Sequence, residues 1–150
     1  MNYYSKLNLK TTFTIFQVFD KKGFLLTAAV GMGPQTVQSA YDIASLSKYL
    51  DFINMMTYDF HGSWDRTTGH NTPLYPRPNE PTINKGLTIE ESVKTWIVGG
   101  ADPKKLILGM ATYGRSFTLS SQDTGLDASI SGPGAAGPYT RQQVRIIVLL

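Results

Sequence analysis

Tyr49-Leu50-Asp51-Phe52-Ile53-Asn54-Met55-Met56-Thr57-Tyr58-Asp59-Phe60-His61-Gly62-Ser63-Trp64 is the stretch on which the fold turns. Residues 52–58 read as a strand, and the chain becomes polar at once beyond it, with Asp59, His61, Ser63, Trp64 and Asp65. Upstream, residues 34–50 read as one helix, opening at Pro34 and carrying Val37, Tyr41, Ala44 and Leu50. Before it, Phe24-Leu25-Leu26-Thr27-Ala28-Ala29-Val30 is an apolar run between Gly23 and Gly31, expected to be a strand buried on both faces. Residues 13–19 suit a short helix stopped by Lys21-Lys22-Gly23.

Downstream, residues 60–86 form a long loop rich in Gly, Pro, Asn and Thr, and loops of that length in compact domains are usually functional. Thr88-Ile89-Glu90-Glu91 is a capping box, and the helix it opens spaces Val93, Trp96 and Ile97 along one face. Gly99-Gly100 ends it. Leu106-Ile107-Leu108-Gly109-Met110-Ala111 reads as a third buried strand, closed by Tyr113-Gly114-Arg115. Residues 120–138 are rich in Ser, Gly and Pro and show no pattern, and residues 144–150 form an apolar tail.

Strands separated by helices imply crossover connections and a parallel sheet. The fold class expected is α/β, a partial (β/α)8 TIM barrel. A complete barrel takes about 250 residues, so the three units read in these 150 residues leave the barrel unclosed, with the strands at 24–30 and 106–112 as apolar edges.

Composition narrows the function. Apolar residues at 41% indicate a globular chain, and a net charge of +3 with scattered Lys and Arg excludes a bare electrostatic binder of nucleic acid. Pairs such as Lys104-Lys105 read as solvated surface. There is no cysteine, and His61 and His70 lack metal-ligand spacing, so no metal and no cofactor are expected. No apolar stretch approaches the roughly 18 residues of a transmembrane helix, no membrane partner is expected, and the N-terminus does not read as a signal peptide. Oligomeric state is not legible.

In a parallel α/β sheet, chemistry collects where strands end. Tyr58, Trp64, Tyr75 and Tyr113 would supply flat faces for sugar rings, and Asp59, Asp65 and Asn71 would supply carboxylate and amide groups for hydroxyls. Each residue also has a plainer reading. Met56 fills core, Tyr58 is a core aromatic, Asp59 caps a turn or helix, Trp64 anchors its loop, and Arg115 snorkels over the sheet. Asp59 shares a face with Met56 and Tyr58 only if the backbone turns there.

These segments, in this order and spacing, resemble the family 18 glycoside hydrolases, the chitinases. Residues 24–30, 49–64 and 106–117 match what would be the fifth, sixth and seventh barrel strands, and Thr68-Gly69-His70-Asn71-Thr72-Pro73-Leu74-Tyr75 matches the loop after the sixth. The resemblance covers roughly residues 14–142 and implies hydrolysis of β-1,4 links between N-acetylglucosamine units in chitin. The mechanism it implies is substrate-assisted, the acetamide oxygen attacking the anomeric carbon while a Glu acts as general acid.

Carried over, Tyr58 matches the tyrosine that steadies the oxazolinium intermediate, and Asp59 the aspartate that contacts sugar hydroxyls beside the scissile bond. Met56 matches the methionine under the reacting sugar, Trp64 an aromatic platform on the leaving-group side, and Tyr113 and Arg115 match substrate-cleft residues. Chitin or chito-oligosaccharides are the implied partner, and an extracellular location follows from the family alone. The implied division is residues 14–117 as partial catalytic barrel, 118–142 as the start of a truncated insertion domain, and 1–13 and 143–150 as ends that do not match.

The family signature D-G-x-D-x-D-W-E, which holds the general acid, does not occur in this sequence, whose glutamates are Glu80, Glu90 and Glu91 alone. The expected function is therefore a piece of a chitinase, inactive alone. The alternative is an inactive chitinase-like lectin that binds chitin.

Overall fold

The computed structural model describes residues 9–138, 141 and 145–147. Residues 1–8, 139–140, 142–144 and 148–150 lie outside the described residues, among them most of the two ends expected not to match, 1–13 and 143–150. The chain divides into two compact units, residues 1–57 with 74–109, and residues 58–73 with 110–150.

The first unit begins with α1 (Leu9–Asp20). It ends in a Schellman turn: Gly23 adopts φ 66°, Gly23 N–H donates to Asp20 O and Phe24 N–H to Phe19 O. The Phe19 and Phe24 rings meet edge-on at 5.8 Å, the apolar contact that accompanies this turn. The expected helix was thus too short, and Phe24 and Leu25, assigned to a strand, lie exposed before it.

Strand β1 (Thr27–Gly31) pairs parallel with β2 (Phe52–Met56), which pairs parallel with β3 (Leu106–Leu108). Ala28 lies opposite Ile53, and Ile53 opposite Leu106. The order β1-β2-β3 is that of consecutive units of a parallel α/β sheet, and among the described residues β1 and β3 are its edges. The strands are not buried on both faces as expected. Val30, Ile53 and Met55 are buried, but Thr27, Ala29, Ile107 and Leu108 are exposed, so β1 is covered on one face only and β3 is exposed on both.

The expected helix over residues 34–50 is two helices, α2 (Pro34–Ala40) and α3 (Ile43–Tyr49). Asp42 breaks the run by capping α3, its carboxylate accepting from Ser45 N–H at 3.1 Å. Tyr41 is extended there, so its hydroxyl accepts from Gly31 N–H at 2.8 Å and its ring packs 5.4 Å from Trp96.

Helix α4 (Ile89–Val98) starts at Thr88, whose hydroxyl accepts from Glu91 N–H at 3.3 Å, while the Glu91 carboxylate turns to Lys94 at 2.9 Å. Trp96 is fully buried, as its helical spacing predicts. Burial of Trp96, Ile53, Met55 and Val30 stabilises the unit by about 1.5–3 kcal/mol each. Lys105 is not merely solvated. Its Nζ donates to Ser47 O at 2.7 Å and Leu50 O at 2.9 Å, satisfying carbonyls at the end of α3.

The second unit is antiparallel. β4 (Tyr113–Arg115) pairs with β7 (Arg145–Ile147), and β5 (Phe117–Leu119) with β6 (Ile130–Pro133). Tyr113-Gly114-Arg115 therefore does not close β3 but starts a separate ribbon, and the segment 120–138 holds a strand where none was legible. Thr68 ties the loop at 58–73 to this ribbon: its N–H donates to Ala128 O and its hydroxyl to Gly125 O at 2.7 Å.

Candidate functional site

The second unit holds five of the six residues singled out from the sequence: Tyr58, Asp59, Trp64, Tyr113 and Arg115. Met56, the last residue of β2, is half-buried and belongs to the first unit, which also holds the exposed Tyr75.

Regular β2 ends at Met56, and Asp59 then adopts a left-handed backbone, φ 61°. This is the turn that the alternation of side chains required. The Asp59 N–H donates to Asn71 Oδ1 at 2.9 Å, and the next amide, Phe60 N–H, to Asn71 O at 3.1 Å. The far end of the Asn71 carboxamide donates from Nδ2 to Tyr113 O at 3.0 Å. Asn71 thus engages its amide oxygen and one amide hydrogen inside the site.

One oxygen of Asp59 gathers three bonds. Oδ1 accepts from Tyr113 OH at 2.5 Å and from Arg115 Nε at 2.8 Å, and lies 2.6 Å from an Arg115 Nη. None of these uses Oδ2. The Arg115 side chain is 8% exposed and that of Asp59 30%, so Arg115 is no snorkelling surface residue. Its guanidinium lies 4.5 Å from the Trp64 ring centroid and 5.9 Å from that of Tyr113. The Tyr58 ring meets Tyr113 edge-on at 6.0 Å, and the Tyr58 hydroxyl has no hydrogen-bond partner among the described residues.

Trp64 is presented by a tight turn. Asp65 Oδ2 accepts from Gly62 N–H at 3.0 Å and contacts His61 Nδ1 at 3.2 Å, while Asp65 N–H donates to Gly62 O at 2.9 Å. Asp65 therefore builds the turn. Gly62 leaves room for the Trp64 indole, because an added Cβ would collide with three of its carbons and displace it. Trp64 remains 57% exposed, more than a loop anchor would be.

The arrangement is a fixed carboxylate with Oδ2 outside these bonds, a phenol against the Tyr113 ring with no hydrogen bond among the described residues, and an exposed indole stacked on a buried guanidinium. Such a set can orient a polar ring compound through hydroxyls and through its apolar face. Among the described residues no three His, Asp or Glu side chains converge as a metal site, and no helix is long and apolar enough to cross a membrane.

Comparison with known proteins agrees with the sequence motifs. The model of the glycosyl hydrolases family 18 matches residues 2–145, beyond the limits of 14 and 142 that the motifs marked out. Mouse chitotriosidase-1 is 48% identical over 124 residues, 82% of this chain and 27% of its own length. Human chitinase-3-like protein 2 is 44% identical over 122 residues, 80% of this chain and 31% of its own. The chain spans about a third or less of these curated relatives.

Among solved structures, human YKL-39, described as a pseudo-chitinase with retained chitooligosaccharide binding, superposes with a TM-score of 0.89 at 37% identity. The match covers 92% of this chain and 40% of that one. The second catalytic domain of the group II chitinase of Ostrinia furnacalis gives 0.87 at 36% identity, covering 92% and 36%.

Proposed function

Because the chain belongs to the family 18 glycosyl hydrolases, we infer that it binds a β-1,4-linked chain of N-acetylglucosamine through Tyr58, Asp59, Trp64, Tyr113 and Arg115 and does not cleave it unaided. The observation that carries this reading is the triple hold on Asp59 Oδ1 by Tyr113 and Arg115. It leaves Oδ2 for a sugar hydroxyl, and the Tyr58 phenol, with no hydrogen bond among the described residues, suits an acetamide. Trp64 offers its exposed face to a pyranose ring. The place of Met56 beneath the reacting sugar rests on the family resemblance alone, as do an extracellular location and an insertion domain beginning near residue 118.

Cleavage needs a proton donor for the leaving oxygen, and general acid catalysis contributes about 10²–10⁴-fold. Each glutamate of this chain is already engaged by a cation. Glu80 is paired with Arg77 at 2.7 Å, and Glu90 and Glu91 stand in the first turn of α4 within 3.3 Å and 2.9 Å of Lys94. Substrate-assisted hydrolysis is proposed for the whole protein, to which these residues would contribute acetamide and hydroxyl contacts.

A second reading, a chitinase-like lectin, is favoured by the likeness to human YKL-39. The residue at the general-acid position of the longer protein separates the two, Glu for an enzyme and any other residue for a lectin. For this chain, chitotetraose is titrated against Trp fluorescence, and the same sample is assayed with a fluorogenic chitobioside. Saturable quenching without turnover is expected. Turnover above a matched blank overturns the inactivity, and absence of quenching overturns the binding.

A further inference from the structure

We propose that Asn71 is the positioning residue of this site, one carboxamide that sets both the acceptor and the donors of the Asp59 cluster. The inference rests on the sugar-binding reading above for its purpose, but on geometry for its substance. Asp59 can present its carboxylate only because its backbone is left-handed, φ 61°. That region is visited routinely by glycine and only occasionally by Asp or Asn, and a residue held there is kept by the contacts around it. Asn71 supplies those contacts. Its Oδ1 accepts from Asp59 N–H at 2.9 Å and its main-chain O from Phe60 N–H at 3.1 Å, so two successive amides are held by one residue.

The other end of the same side chain fixes the donors. Asn71 Nδ2 donates to Tyr113 O at 3.0 Å. Tyr113 and Arg115 are two apart on β4, so their side chains leave the same face, and both reach Asp59 Oδ1. Holding the Tyr113 carbonyl therefore sets the strand from which both donors depart. A carboxamide carries both groups this needs. Asp59 N–H needs an acceptor and the Tyr113 carbonyl needs a donor, and a carboxylate at position 71 would satisfy the first and repel the second.

The test compares Asn71→Ala and Asn71→Asp with the parent chain by 15N NMR without ligand, then by chitotetraose titration. In Asn71→Ala the Asp59 amide and Arg115 Nε–H resonances are both expected to move, and the Kd to rise about tenfold. In Asn71→Asp the Asp59 amide is expected to stay and Arg115 Nε–H to move, with a smaller rise in Kd. A role in stability alone would lower the melting temperature and leave Arg115 Nε–H where it was. Unmoved resonances in folded Asn71→Ala, or an unchanged Kd where the parent binds, overturn the proposal. If Asn71→Ala does not fold, the near-isosteric Asn71→Asp decides it on Arg115 Nε–H. A parent that does not bind chitotetraose defeats the sugar-binding reading, while the ligand-free spectra still decide the role of Asn71.

Discussion

Arg115 reaches a single oxygen of Asp59 with two of its nitrogens, Nε at 2.8 Å and an Nη at 2.6 Å, while the guanidinium lies against the Trp64 ring. Planarity makes both contacts possible at once, because the edge of the group carries the donors and its face is free to stack. Lysine keeps the charge but has neither the fork nor the face. Arg115→Lys is therefore expected to weaken chitotetraose binding about tenfold, or ~1.4 kcal/mol. Trp64 emission should shift in the unliganded protein, since the stacked cation is gone. Titration by fluorescence reads both, and a variant that binds like the parent would show that Arg115 does not hold Asp59 for binding.

Gly62 tests the aromatic platform separately from the carboxylate. A methyl group there would occupy the space of the Trp64 indole, which would have to swing out of its turn. The Asp59 cluster makes none of its bonds through Gly62. Gly62→Ala is expected to raise the Kd several-fold and reduce the quenching amplitude, with the Arg115 Nε–H resonance still showing its bond to Asp59. Loss of that resonance position as well would mean that the stack and the ion pair form only together.

The parallel core was legible because its signals are local. The apolar runs at 24–30, 52–58 and 106–111, which overlap the strands found at 27–31, 52–56 and 106–108, and the Thr88 cap each report on their own neighbourhood. The break between α2 and α3 was not read, although its cap, Asp42, is a local signal; what the sequence hides is the Tyr41 hydroxyl meeting Gly31 N–H across ten residues. The ribbons of the second unit were missed for a related reason. Their strands are three or four residues long, their pairings are distant in sequence, and Ser, Gly and Pro around residues 120–138 mask any alternation. Asp59, Tyr113 and Arg115 could be named as strand-end residues, but their convergence on one oxygen depends on a left-handed turn and on Asn71, neither of which has a periodic signature.

Arg77 and Glu80 give a pH-dependent element in the long loop. The side-chain bond from Arg77 holds the Glu80 carboxyl below its usual value of 4.5, opposed by burial and aided by the Arg77 charge and Asn84. A depressed folded pKa means that the ionised form is the one the fold favours. The contribution is complete above 4.5 and is lost as pH falls through the lower folded value. Titration of the Glu80 side-chain carbon by NMR should give a midpoint below 4.5, and Arg77→Ala should move it up. A midpoint unchanged by that substitution would remove Arg77 as the cause.

The edge strands carry the last expectation. β1 and β3 each pair on one side only among the described residues, and both are flanked by exposed apolar side chains, Phe24 and Leu25 before β1, Ile107 and Leu108 within β3. An edge strand presents unpaired backbone groups to any similar strand, and the usual defence is a charge, which β3 lacks. The isolated chain is therefore expected to self-associate as its concentration rises and to melt without a sharp transition. Ile107→Lys places a charge on an exposed position of β3 and should increase the monomer fraction in sedimentation velocity, with Trp96 remaining buried by its emission maximum. A parent chain that stays monomeric and melts cooperatively would show that the two edges are protected in solution, and Ile107→Lys would then have no association to relieve.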